Sequence, residues 1–410
     1  MITRRHLLGT AGAGAALAGS GLAFPKLDQA HAEIPNIDAG LPAGTRGEAV
    51  MERLPGKQPL IKLTYRPPNY EAPVDYFKTP ITPNDKFFVR YHLADIPEKI
   101  DAKTWKLSVG GDGANGTAQL TLADLKKLPA VEIVAVNQCS GNRRGLFLPH
   151  VAGVEWGNGA MGCARWKGAR LKDILAKAGV KPEAVEIVID GADGPVIDKT
   201  PDFVKSIPVA KAMEDTTIVA YEMNGAPLPH FNGFPARLVV PGWTGTYWMK
   251  HLISIRAVTK PFEGFWMKSA YRIPIGKFPG ARFTSQESIG PNTPITEMMV
   301  NSLITTPSEG AKVKGGKTAV SGIAWDGGYG IKTVEVSADG GKTWQPAKLG
   351  KDLGKFAFRP WSASVPVGKG AQKIMARATS VNGQGQTTEL IQNPAGYHHN
   401  LYSSVGVTGA

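Results

Sequence analysis

The chain has 410 residues, 42% hydrophobic and 20% charged, with a formal net charge of +13. That length predicts two or three domains, and 49 glycines with 31 prolines predict many turns and short strands. Beyond the N-terminus no apolar run is long enough to span a bilayer, and the basic residues are dispersed without any nucleic-acid motif, so the charge points to acidic partners and anionic ligands.

The N-terminus reads as a targeting signal. Thr3-Arg4-Arg5-His6-Leu7-Leu8 is a twin-arginine pattern, a weakly apolar stretch follows over residues 7–24, and Ala30-His31-Ala32 has the form of a cleavage site. Residues 1–32 are therefore expected to be a signal peptide for export of a folded protein to the periplasm, with no membrane span left after cleavage. Cleavage removes three positive charges and one negative, leaving +11. Residues 33–75 are rich in proline, glycine and charge and predict an extended N-terminal arm with little regular structure.

Residues 86–93 predict a strand. Alternation places Phe88, Arg90 and His92 on one face and Phe87, Val89 and Tyr91 on the other. An arginine and a histidine on an aromatic strand mark either a wet edge or a site. A strand over 105–109 follows, then a short helix over 121–128 with Thr121 and Asp124 spaced near a capping box.

Residues 131–136, apolar except for Glu132, predict a buried strand that ends in Asn137-Gln138-Cys139-Ser140-Gly141-Asn142-Arg143-Arg144. A thiolate is a ligand for soft metals, and paired guanidiniums hold oxyanions, so one turn combines a metal ligand with an anion site. A buried structural cysteine with arginines facing solvent is the plainer reading of the same residues. The second cysteine, Cys163, sits among small residues and reads as a structural thiol; a disulfide between the two would consume the proposed ligand. No Cys-x-x-Cys-His is present, so no c-type haem is expected in this chain. The eight histidines show no zinc spacing, and His398-His399 reads as a surface pair.

Residues 146–162 predict an irregular glycine-rich loop containing Trp156, and 167–179 an amphipathic helix stopped by Gly179. A strand over 185–189 runs into an Asp-Gly turn carrying Asp193. A strand over 218–223 meets the hairpin turn Asn224-Gly225. Arg237 leads into a buried run, where a guanidinium needs an anion. From Thr296 the pattern changes to short strands over 300–304, 318–324, 331–337, 356–363 and 372–379, the spacing of a β-sandwich.

The turn around Cys139 resembles the molybdenum-ligating turn of the sulfite oxidase family. Phe87-Phe88-Val89-Arg90-Tyr91-His92 resembles that family's first pterin-binding strand. Ala220-Tyr221-Glu222-Met223-Asn224-Gly225, then the run from Gly233-Phe234-Pro235 through Arg237 to Pro241-Gly242, keep the family's order. The stretch from Val334 to Trp344 resembles its immunoglobulin-like C-terminal domain, and the whole is most similar to the catalytic subunits of bacterial periplasmic sulfite dehydrogenases.

The resemblance implies an α+β fold: a mixed α/β molybdopterin-binding catalytic domain over 76–295, then an all-β immunoglobulin-like sandwich over 296–410. It implies a molybdenum–molybdopterin cofactor with Cys139 as metal ligand. Arg90, Arg144, Tyr271 and Trp156 would form the catalytic pocket. Phe88, Val89, Arg90, Tyr91, His92, Asp193, Asn232, Arg237, Trp248, Met249 and Lys250 would touch the cofactor. Two departures stand out: the family's histidine before Gly-Phe-Pro is Asn232 here, with His230 two residues earlier, and an arginine that animal members carry near the chain end is absent from Asn393-Pro394-Ala395-Gly396-Tyr397. The implied activity is oxidation of sulfite to sulfate with electrons passed to a c-type cytochrome, as a heterodimer or a homodimer. The alternatives are a sulfane dehydrogenase subunit of thiosulfate oxidation, an oxyanion reductase on the same fold, and a cofactor-binding protein without catalysis.

Overall fold

The structure is a computed structural model that describes residues 49–278 and 292–410; the twin-arginine segment lies outside the described residues. Its organising element is the strand Ala130–Gln138, which pairs antiparallel with Met161–Arg170 in unbroken register from Ala130↔Ala169 to Gln138↔Met161. Met161–Arg170 pairs in turn with Ile218–Met223. That strand bends through Asn224 (φ 53°) and Gly225 (φ 78°), the left-handed pair that a two-residue hairpin requires, into Ala226–Pro227. It also pairs with Arg237–Val239, which brings Arg237 into the same sheet.

Of the helix expected over 167–179 only Leu171–Leu175 is helical; residues 167–170 complete the strand Met161–Arg170. Gly168 is the reason. A Cβ there would stand 2.0 Å from the carbonyl oxygen of Val219, so the neighbouring strand's backbone lies directly against it. Sheet pairing on both edges overrides the helical spacing of the side chains.

A second sheet has the order Lys205–Pro208, Glu186–Gly191, Leu252–Val258, Lys106–Gly110, Ala118–Thr121, with its one parallel contact between Leu252–Val258 and Lys106–Gly110. The expected capping box is present at its edge: Thr121 Oγ1 accepts from the Asp124 N–H at 3.2 Å, and the Asp124 carboxylate accepts from the Thr121 N–H at 3.1 Å.

The arm is more regular than its composition predicts. Met51–Glu52, Leu60–Thr64 and Asn69–Glu71 join Val89–Arg90 in a four-stranded sheet. Leu60 and Tyr70 are fully buried in one apolar cluster with Val136, Met161 and Cys163, and burying that surface outweighs the polar composition around it.

Among the described residues the α-helices are Leu122–Lys127, Leu171–Leu175, Val209–Ala212 and Phe265–Lys268, none longer than six residues. The molecule is β-rich, and helix contributes far less than a mixed α/β domain implies.

From residue 292 onward two sheets face each other. One holds Asn301–Thr306, Gly316–Trp325, Arg359–Val367 and Lys348–Leu349; the other holds Ala311–Val313, Ser403–Gly409, Gly370–Ser380, Ile331–Ser337 and Gln345–Pro346. Ile304, Val320 and Val365 from the first pack on Val334, Ile374 and Val407 from the second. The five strands expected here are present; Ser403–Gly409 was masked in the sequence by its glycines and serines. The final approach to it buries His398 and His399, which are therefore not a surface pair: their rings lie 5.0 Å from Phe278 and 5.6 Å from Phe147.

The two halves share one core. Leu303, Ile323, Trp325 and Phe358 of the sandwich pack with Val136, Met161 and Cys163. The Val136 N–H donates to Phe356 O at 2.9 Å, and Trp325 Nε1 donates to Gln138 Oε1 at 2.6 Å.

Candidate active site

The strand ends at Gln138, and the turn that follows is locked by its own backbone. Cys139 N–H donates to Ala160 O at 2.8 Å, Asn142 N–H to Cys139 O at 2.9 Å, and Arg143 N–H to Gly157 O at 2.8 Å. Asn142 Oδ1 accepts from the Ala160 N–H at 3.0 Å. Arg143 takes a left-handed conformation, φ 68°. The result is a cysteine 7% exposed, on the wall of a cavity. Cys163 lines a different core, where burial pushes its thiol up to about 12; both cysteines are free thiols.

The cavity wall is cationic. Arg90, Arg237 and Lys250 line it, against the single carboxylate of Asp193. Arg237 donates to Asn232 O and Trp248 O, each at 2.9 Å, and lies over the Trp166 ring at 5.0 Å. Burial pulls its guanidinium down to about 9. Lys250 donates to Arg90 O at 2.6 Å; burial holds its ammonium well below the usual lysine range, with Asp193 opposing. The same burial raises the Asp193 carboxyl. Both members of this pair are pushed toward neutrality, the behaviour of charges taken out of water without enough counter-charge.

Arg90 meets Tyr271 across the cavity. Its NH1 donates to Asn69 Oδ1 at 3.2 Å and to Tyr91 O, and its NH2 donates to the Tyr271 hydroxyl at 3.4 Å. That hydroxyl is also hydrogen-bonded to His92 Nε2. Burial, then Arg90 and Lys250, hold His92 well below the usual imidazole range, so it is neutral at pH 7. Burial raises the Tyr271 phenol. Tyr271 has φ 59°, a left-handed backbone that an aromatic residue adopts only under tertiary constraint.

Of the expected site residues, Cys139, Phe88, Arg90, Tyr91, His92, Asp193, Asn232, Arg237, Trp248, Met249, Lys250 and Tyr271 line this one cavity. Three do not. Val89 turns the other way on its strand into the second core. Trp156 is fully buried beneath the loop, its carbonyl accepting from the Gly145 N–H. Arg144 folds back under the turn: Nε donates to Ala395 O at 2.9 Å and NH1 to Val154 O at 3.0 Å, and a Cβ on Gly141 would strike its NH2 at 2.4 Å. Arg143, the other arginine of the turn, donates to Asn301 Oδ1 at 2.6 Å and Ser302 O at 2.8 Å, so its charge is spent on the sandwich and not on an oxyanion. Asn232, not His230, reaches the cavity.

Further residues complete the wall, of which Phe203 and Thr246 had no local signal. Phe203 stacks on the His92 ring at 3.5 Å, and Ser140, Asn137 and Thr246 add polar groups. Lys205 is fully buried, donates to Trp266 O at 2.6 Å and lies 5.0 Å from the Tyr271 ring centroid. A lysine inside the otherwise extended, apolar Phe203-Val204-Lys205-Ser206-Ile207 run was the one available clue.

The fit of this wall to an anionic, polar cofactor is tested by its loose ends. Arg90 Nε, Arg237 Nε, Ser140 Oγ, Thr246 Oγ1 and Asn137 Oδ1 are buried with no hydrogen-bond partner in the protein. Each such group costs about 1–3 kcal/mol when left unpaired, so five around one cavity mark a site built to be satisfied by a ligand. Among the described residues no three His, Cys, Asp or Glu converge to hold a metal ion by themselves, so a metal on Cys139 would take its other ligands from that cofactor.

The chain matches the family described as oxidoreductase molybdopterin binding domain over residues 92–266, and the Mo-co oxidoreductase dimerisation domain over 292–409. It is 36% identical over 372 residues to the mitochondrial sulfite oxidase of Macaca fascicularis, an alignment covering 86% of this chain and 66% of that protein. The chain thus spans just under two thirds of that relative. With the sulfite oxidase of Arabidopsis thaliana it is 31% identical over 363 residues, covering 85% of this chain and 89% of the other. Among solved structures, the sulfane dehydrogenase SoxCD from Paracoccus pantotrophus matches with a TM-score of 0.72 at 25% identity, covering 94% of this chain and 93% of that one.

Proposed function

The chain belongs to the sulfite oxidase family of molybdenum enzymes, with molybdenum–molybdopterin as its cofactor, and from that premise we propose that it oxidises sulfite to sulfate and passes the electrons to a c-type cytochrome. The observation that carries the reading is a cysteine opening onto a buried cationic cavity whose donors lack partners.

In this reading Cys139 supplies a thiolate to the metal. Arg237, Lys250, Thr246 and Asn232 hold the anionic part of the cofactor, and Phe88, Tyr91 and Trp248 pack its flat part. Arg90 has an unpartnered Nε, and with NH2 it presents a cationic edge beside Tyr271, suited to orienting a small dianion. Tyr271, fixed between Arg90 and the neutral His92, is placed to give or take a proton. When bound, the molybdenum centre supplies oxygen transfer and accepts the two electrons. The twin-arginine pattern supports a periplasmic location, and the matched dimerisation domain supports self-association or a partner subunit.

A second reading, oxidation of sulfane sulfur, is favoured by the likeness to SoxCD over nearly the whole chain. Metal analysis, anaerobic bleaching of the purified protein's visible spectrum by sulfite, and steady-state assay with sulfite and cytochrome c decide between them. Molybdenum with rapid reduction by sulfite is expected. Molybdenum that sulfite does not reduce, but a sulfane-sulfur donor does, selects the second reading; absence of molybdenum overturns both.

A further inference from the structure

Lys57 lies in the arm, outside the matched domains, yet its side chain ends at the cavity wall. Gly56, at φ 72°, turns the chain inward after Met51–Glu52. The Lys57 N–H closes that turn on Leu54 O at 2.9 Å. Gln58 fastens it to Asp85, with its N–H on Asp85 O at 2.8 Å and Nε2 on Asp85 Oδ2 at 3.1 Å. Lys57 is 6% exposed, and its Nζ donates to Asn84 O at 2.7 Å and to Asn232 Oδ1 at 2.5 Å.

Asn232 therefore joins two buried cations: its side-chain oxygen receives Lys57 and its backbone carbonyl receives Arg237. Lys250, held below the usual lysine range by burial and then by Arg237, Arg90 and Lys57, completes the group. Among the described residues neither Lys57 nor Arg237 forms an ion pair. Desolvation pulls the Lys57 ammonium to about 7, with Asp85 opposing. Three basic groups gathered out of water drive one another toward neutrality, and a doubly charged anion is the chemical group that would restore their charge.

We propose that Lys57 is a positioning residue for the cofactor: acting through Asn232, it adds a third positive charge to the Arg237–Lys250 end of the cavity, which takes the phosphate monoester of molybdopterin. This rests on the reading of the cavity as the molybdopterin site. The arm would thus be part of the cofactor site.

The test uses the purified holoenzyme and follows release of pterin, by its fluorescence after oxidation, from wild type, Lys57→Gln, Lys57→Met and Lys57→Arg. Both neutral variants are expected to release pterin about tenfold faster than wild type, and the arginine variant to stay within about threefold. Glutamine removes the charge and leaves a donor one atom shorter, so wild-type retention in Lys57→Gln would mean that the charge of Lys57 does not hold the cofactor, and would overturn the proposal. If Lys57→Met fails to fold, the comparison of glutamine with arginine decides alone. Equal loss in both of those variants also overturns it. A wild-type protein carrying no pterin would instead sink the reading of the cavity itself.

Discussion

The rings of Tyr271 and Tyr397 stack with centroids 5.6 Å apart and planes 12° from parallel, and the Arg144 guanidinium lies 5.3 Å from the Tyr397 ring. Tyr397 belongs to the stretch in which animal members of the family carry a pocket arginine. Here that stretch offers an aromatic ring, and Arg144 sits behind it and reaches the cavity only as a field. Tyr271 is thereby clamped three ways, by its stack, by its hydroxyl partners and by a left-handed backbone.

Tyr271→Phe isolates the hydroxyl, since phenylalanine keeps the stack. Turnover with sulfite, normalised to molybdenum, is expected to fall roughly a hundredfold, the usual contribution of one positioned proton donor or acceptor. Unchanged turnover would leave Tyr271 as packing.

Cys139→Ser is expected to abolish sulfite oxidation while the melting temperature of the protein shifts by only a few degrees. A hydroxyl matches the thiol in size but is a poor ligand for a soft metal site. Near-normal activity with molybdenum still bound would remove Cys139 as the ligand.

Arg90→Lys keeps the charge and loses the planar fork. One charge-assisted hydrogen bond is worth about 1.5–3 kcal/mol, so kcat/KM for sulfite should drop roughly ten- to a hundredfold or slightly more. If Arg90 is only structural, molybdenum content or thermal stability falls and the kinetics per bound metal stay as they were.

Arg143→Met tests the seam. The substitution leaves Asn301 Oδ1 and Ser302 O without their buried donor, and two charge-assisted bonds predict a loss of about 3–5 kcal/mol in stability. Chemical denaturation should show the lower midpoint, and a midpoint equal to that of wild type would place these bonds among the inconsequential ones.

Stability should fall on acidification. Burial, reinforced by Lys250 for His251 and by Arg143 for His399, holds His251, His398 and His399 each at about 3. These folded values lie below the unfolded value of about 6.5, so the unfolded chain binds the extra protons and stability is lost as pH drops between the two. Asp190, raised to about 6 by burial and then by Asp202, works the other way and cancels about one of those protons between pH 4 and 6. The three histidines net of Asp190 leave two protons, a loss on the order of 3 kcal/mol per pH unit in that window, and His92, which burial also lowers, adds in the same direction. Denaturant midpoints at pH 7, 6 and 5 should decrease in that order; a rise would refute the assignment.

Most of the site was legible because it is written in contiguous runs. Phe88 to His92 and Trp248 to Lys250 each bring several wall residues on one short segment, and Cys139 announces itself by scarcity. The misreadings have one physical origin, which is that local spacing does not specify the partner. Arg143 and Arg144 look alike in sequence, yet one is claimed by Asn301 and the other by Ala395 and Val154, residues that lie beyond 150 positions away except for Val154. Residues 167–170 have helical periodicity, and pairing with a strand on each edge, with the Val219 backbone against Gly168, makes them strand. His398 and His399 looked solvent-exposed because nothing near them in the chain is apolar enough to cover them; Phe278 and Phe147 do so from afar.

The strand that delivers Cys139 is tethered to the sandwich at Val136 and at Gln138, three residues and one residue ahead of the thiol, by Phe356 O and Trp325 Nε1. The metal ligand is strung between two hydrophobic cores, so loosening either core slackens the same cord. Inactivation on heating should then track the opening of the join between the halves: the Cys139 thiol becomes open to alkylation, and activity is lost, before the sheets themselves melt. The working lifetime of such an enzyme is a property of its seam.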